Sequence, residues 1–136
     1  MPANDLANYI PALKFKKAQL KNRDLEGAGI FTFGNIYYVS SVTGSASNDG
    51  TRPDKPMATV DQAISLAAVT ANNDDVIILL PGHAETVTAT SIALDIAGLR
   101  IIGMGKGLKR PTFTFGAAAA TITVTGANCS WENCHF

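Results

Sequence analysis

Short apolar runs and period-two alternation dominate the chain, and helical spacing is confined to one stretch. Tyr37-Tyr38-Val39 reads as a strand. It is followed by a Gly/Ser/Asn/Asp/Pro-rich loop, a short Ala-rich segment and a second apolar strand over Val76–Leu80, closed by Pro81-Gly82. Thr112-Phe113-Thr114-Phe115 and Thr121-Ile122-Thr123-Val124-Thr125 alternate Thr with an apolar residue. That alternation predicts half-buried strands with Thr outside and Phe, Ile and Val inside. Thr59 or Asp61 is placed to cap a short helix through Ala63, Ile64, Leu66, Ala67 and Ala68.

From Asp75 onward the pattern repeats loosely. Leu-Arg-Ile-Ile-Gly-Met at 99–104 aligns with Cys-Ser-Trp-Glu-Asn-Cys at 129–134. Leu99 then matches Cys129, Ile101 matches Trp131 and Met104 matches Cys134, with Gly103 and Asn133 sharing a turn position. Asn tolerates the left-handed backbone that such a turn demands. A repeat of this kind is how a solenoid is written in sequence, each unit covering the apolar face of the one before. Two to three coils fit into residues 76–136. The pattern breaks off at Phe136 in mid-coil with no terminal helix or polar cap, so the expectation is a segment of a longer protein or an end covered by another chain.

Residues 1–35 differ in character. Leu6, Ile10, Leu13, Ala18, Leu20 and Leu25 are only loosely helical in spacing, and Pro11 interrupts any long helix. Gly27, Gly29 and Gly34 bracket the apolar run Ile30–Phe33. The reading is an extended arm with at most one short helix, too small to bury a core alone. Its candidate contact residues are the basic group Lys14, Lys16, Lys17, Lys21 and Arg23, suited to an acidic protein surface, and the apolar Ile30, Phe31 and Phe33.

The order strand, Gly/Asn/Asp/Pro loop, short helix, apolar strand over Tyr37–Gly82, with the repeat that follows, resembles the start of a right-handed parallel β-helix of the pectate-lyase-like kind. Bacteriophage tail spikes and fibres and many carbohydrate-active proteins share that fold. The expected class is therefore mainly β: the start of a right-handed parallel β-helix with a short capping helix (36–136), preceded by the extended arm (1–35). The resemblance implies that the helix covers the open first coil. It also implies a homotrimer.

Charge, cysteines and motifs narrow the chemistry. Apolar residues make up 46% of the chain and charged ones 16%, which suits a surface of Thr, Ser, Asn and Gly. Net charge is zero, so no global field draws the chain to nucleic acid or to an anionic membrane. No apolar stretch reaches the roughly 18 residues of a membrane span. The first residues lack the basic-then-apolar order of a secretory signal. Cys129 and Cys134 form neither a CxxC nor a zinc pattern and are expected as buried thiols. Ser47-Asn48-Asp49-Gly50-Thr51 superficially suggests a calcium loop but lacks the spaced ligands and terminal Glu, so a plain loop is expected.

Candidate catalytic groups are Asp74, Asp75, His83, Glu85, Asp95, Glu132 and His135. His83 and Glu85 are the only close His/carboxylate pair. The Pro-Gly before His83 predicts an exposed turn histidine, and the alternation at 134–136 turns His135 outward. A nucleophile triad, a phosphate loop and a redox motif are all missing, so neither cofactor nor catalytic residue is assigned. Gly103–Gly107 reads as a loop between walls.

The function expected first is a structural virion protein, the anchor and first coils of a phage fibre or tail spike. Its partners are other virion proteins through the arm, and host polysaccharide through a C-terminal part. Nucleic-acid binding and membrane insertion are not expected. The alternatives are a polysaccharide lyase or glycoside hydrolase whose site lies beyond residue 136, and a bacterial surface polysaccharide-binding module.

Overall fold

The structure is a computed structural model that describes residues 32–88 and 92–136. It is built mainly from strands, all paired in parallel, and residues Thr32–Phe136 form one compact unit. In chain order the elements are β1 (Ile36–Val39), α1 (Val60–Ala67), β2 (Val76–Leu79), β3 (Ala84–Val87), β4 (Ile92–Leu94), β5 (Arg100–Gly103), β6 (Thr112–Phe115), β7 (Ile122–Val124) and β8 (Ser130–Glu132). The four-stranded sheet runs β1-β2-β5-β8, and β3-β6 and β4-β7 form two-stranded sheets. The chain therefore lays β2, β3 and β4 on three different sheets, then returns to lay β5, β6 and β7 beside them.

Register turns this path into columns of like residues. Tyr37, Ile77, Ile101 and Trp131 stand in line, as do Val39, Leu79 and Gly103. Tyr37, Val39, Ile77, Leu79 and Ile101 belong to the buried core, together with Val87, Leu94, Leu99 and Phe113, and Trp131 packs against it. The match of 99–104 with 129–134 holds as an alignment, since Ile101 pairs with Trp131. Its turn chemistry differs from the expectation. Asn133 is left-handed (φ 53), whereas Gly103 is not among the residues of positive φ. Gly103 is needed for closeness: a Cβ there would lie 2.4 Å from the Asn133 carbonyl oxygen. Left-handed residues stack instead two places before β2, β5 and β8, at Asp74, Gly98 and Asn128 (φ 55, 79 and 57).

The start of the stack is closed. Thr59 caps α1 in a capping box: its hydroxyl accepts from the Gln62 N–H, and the Gln62 side chain accepts from the Thr59 N–H. Val60, Ala63, Ile64 and Ala67 form the buried face, at the i, i+3, i+4, i+7 spacing of an amphipathic helix. Leu66, expected with them, lies off that stripe and is partly exposed. The helix packs on β1, β2 and β4, and so fills the level that β1 alone cannot. The 40–57 loop satisfies the free edge of β1. Tyr38 N–H donates to Gly50 O (2.7 Å), Met57 N–H to Tyr38 O (2.8 Å) and Ser40 N–H to Met57 O (2.9 Å). A bare first edge would otherwise template pairing with other chains.

Candidate functional site

The basic arm residues Lys14, Lys16, Lys17, Lys21 and Arg23, with Ile30 and Phe31, lie outside the described residues. Phe33 is described and is 92% exposed. Just beyond it the chain is tied into the stack, Asn35 N–H donating to the Asp75 carboxylate at 2.7 Å.

The opposite end of the stack is the most distinctive surface. β8, β7 and the far part of β6 are edge strands, with no further strand beside them among the described residues. The residues that point inward there are only partly covered. Phe115 is 44% exposed, Val124 54% and Phe136 57%, while Ile122, Cys129, Trp131 and Cys134 are partly buried against the core. Ile122, Val124 and Phe115 were expected inside. They do occupy inward register, over Ile92, Leu94 and Val87, which are themselves buried. Among the described residues no strand lies over them.

An aromatic cluster anchors this end. Phe113 is 1% exposed and meets Trp131 edge-on at 5.0 Å and Phe136 in a stack at 5.6 Å, with Trp131 and Phe136 5.4 Å apart. Such pairs add to plain area burial. The indole N–H of Trp131 donates to Cys134 Sγ (3.1 Å), and the Cys129 thiol donates to Ile96 O (2.9 Å). Burial pushes the Cys134 thiol up from its ordinary value. Both cysteines are thus partly buried, not the core thiols expected. The only charge on β8, Glu132, is engaged by Arg100 at 3.1 Å.

The other candidate groups serve the fold. His83 is buried (1% exposed), not the exposed turn residue that its Pro-Gly neighbour predicted. Its Nδ1 accepts the Ser41 N–H (3.0 Å), which leaves the proton on Nε2 to donate to Glu85 Oε2 (3.2 Å). The same Glu85 oxygen accepts the Val60 N–H at the start of α1 (3.0 Å). One imidazole and one carboxylate thereby join the first loop, β3 and the capping helix. Two residues apart on a strand share a face, so the His83–Glu85 contact was legible in spacing. Burial was not, because it depends on neighbours distant in sequence, the Ser41 N–H and Phe113, whose ring lies 5.6 Å away. Glu85 also borders a pocket of about 240 Å³ with Thr59, Asp61, Thr86, Val87, Thr88 and Ile92.

Asp75 is buried and accepts from Asn35 N–H, the Thr70 hydroxyl and the Asn73 amide, so its oxygens are spent on structure. Asp95 and His135 are exposed. Asp49 accepts both the N–H and the hydroxyl of Thr51, which hold its carboxyl below the usual range. This is turn chemistry. Among the described residues no group of three or more His, Cys, Asp or Glu could hold a metal ion. No described helix is long and apolar enough to cross a membrane.

Comparison with family models, curated proteins and solved structures finds no match to this chain.

Proposed function

We propose that the chain is the capped start of a right-handed parallel β-helix and works as a structural protein, the anchor and first coils of a phage fibre or tail spike. The observation that carries this reading is the polarity of the stack. One end is sealed by α1 and the 40–57 loop, and the other presents three strand edges around an uncharged apolar centre. Crossovers between parallel strands of one sheet are right-handed in about 98% of cases, which supports that hand for the β2-to-β5 path. A stack in which every strand pairs above and below resists bending, and rigidity is what a rod contributes to a particle.

In this reading the arm attaches the rod. Lys14, Lys16, Lys17, Lys21 and Arg23 meet an acidic protein surface, and Ile30, Phe31 and Phe33 bury against a virion partner. Three rods associate side by side as a homotrimer. The test is removal of residues 1–31, which spares the Asn35–Asp75 bond. The shortened protein is expected to melt cooperatively and to be lost from the particles in which the protein occurs. Normal incorporation of the shortened chain would sink the anchor role, and a light-scattering mass of the untruncated 136-residue chain other than three times 14.2 kDa would sink the trimer.

A further inference from the structure

We infer that the loop of residues 105–110 is a subunit contact: Leu108 and the lysines beside it dock into the pocket between the 40–57 loop and α1 of a second copy of this chain. The inference rests on the homotrimer reading and names the contact that builds it.

The loop is a projecting knob that is held in place before it binds. Leu108 is 103% exposed, and Val42 on the neighbouring loop is 71% exposed. Val42 and the Lys109 side chain flank the same Gly82, a Cβ on which would lie 4.0 and 3.8 Å from them. The backbone beneath is fixed. Gly82 N–H donates to Lys109 O (2.7 Å), Lys109 N–H to Lys106 O (3.0 Å), and the Asn133 side-chain amide to Gly103 O (2.8 Å) and Gly105 O (3.1 Å). A loop ordered in advance lowers the entropic cost of association. Lys106, Lys109 and Arg110 are exposed and make no ion pair among the described residues. A fully exposed leucine amid unpaired cations fits a partner that offers an apolar hollow with an acidic rim.

Such a hollow exists on this chain. An open pocket of about 420 Å³ lies between the 40–57 loop and α1, lined by Ala46, Met57 and Leu66 among polar groups and bordered by the exposed carboxylates of Asp49 and Asp61. Lys55 and Arg52 act on Asp49, and Arg52 is held by Asp54, whereas Asp61 has no ion pair among the described residues. Leu66 is the apolar residue that α1 leaves off its buried stripe, and docking gives it a partner. The occupant is a second copy and not the arm, whose five basic residues outnumber Asp5, Asp24 and Glu26 and give it the sign of the loop. Knob and pocket are different patches, so the contact is heterologous, and such a contact closes into a ring when repeated round a three-fold axis.

The test measures self-association of the 136-residue chain by sedimentation over a range of protein concentrations at low salt, with melting curves for every variant. Leu108→Ser removes the anchor from an exposed position, so folding is spared, and is expected to weaken association about ten-fold or more. Lys106→Glu with Lys109→Glu on the loop, and Asp61→Lys in the pocket, are each expected to weaken it several-fold. The chain carrying all three charge reversals is expected to regain the parent affinity, which requires the two patches to meet. Ser65→Arg, on the exposed side of α1 and clear of its first turn, takes the place of Asp61→Lys in both chains if that variant melts early. Undiminished association of every variant, at the mass of a trimer, overturns the contact and leaves the trimer standing. Weakening by the loop variants that the combined chain does not recover overturns the pocket as receiver, and the inference with it. A dimer that responds to the variants and to their combination keeps the contact and sinks the trimer. A parent chain that stays at 14.2 kDa at every concentration overturns both.

Discussion

Replacing His83 by leucine separates two views of this residue by a wide margin. Leucine has nearly the volume of the imidazole and keeps apolar contact with Phe113, so little of the effect comes from packing. The Ser41 N–H loses its acceptor in a site where the His83 side chain is fully shielded, and an orphaned buried donor costs about 1–3 kcal/mol. Glu85 loses one donor but keeps the Val60 N–H, and its partial exposure lets water replace the missing bond, so its share sits at the low end. The sum is about 2–4 kcal/mol, against the roughly 0.5 kcal/mol or less typical of a surface substitution. Urea unfolding followed by circular dichroism reads the difference directly. With a slope of about 1–3 kcal/mol per molar, the midpoint should fall by about 1–2 M at unchanged slope. A fall of less than about 0.3 M would refute the argument, because the histidine would then behave as an exposed turn residue.

Thr59→Ala removes the hydroxyl half of the capping box and should lower stability by about 1 kcal/mol, with Thr59→Ser restoring it, as read by the same unfolding curves. Gly103→Ala drives a Cβ against the Asn133 carbonyl and should cost about 1–3 kcal/mol, whereas Gly107→Ala, with open space around it, pays only for its left-handed φ of 55. Equal melting temperatures for the two glycine variants would contradict the close approach of β5 and β8. The Tyr37 phenol is pushed up by burial and then by the nearby Asp75 carboxylate. The folded state therefore holds the phenolic proton more tightly than the unfolded chain does. Stability should stay level below the ordinary phenol range and fall as pH rises through and above it. Tyr37→Phe should flatten that alkaline fall, and an unchanged slope in thermal melts across alkaline pH would count against it.

Local signals were read well where the cause is local. Of the two caps expected, Thr59 and Asp61, the hydroxyl of Thr59 supplies it, and of the helix residues expected, Ala63, Ile64 and Ala67 are on the buried face. The turn at Asp49-Gly50-Thr51 follows from Asx chemistry within three residues. The errors fall where a neighbour distant in sequence decides. His83 looked like a turn residue because Pro81-Gly82 precede it, yet Ser41 and Val60 lie close enough to be joined through it and Glu85. Gly103 was matched to a left-handed Asn133, but the glycine is there because another strand passes against it.

The sequence by itself determined the strands near 37–39, 76–80, 112–115 and 121–125, the short helix after Thr59 and the match of 99–104 with 129–134, because alternation and capping act over a few residues; the strands Ala84–Val87 and Ile92–Leu94 carried no such signal. Tertiary structure alone decided which of the inward positions are covered. Phe113 and Phe115 belong to one alternating strand, yet the first is buried and the second is 44% exposed. In a stacked fold a side chain is buried only when the coils on both sides of it are present. Burial therefore depends on the layer above, a condition that the residue's own neighbours in sequence do not carry.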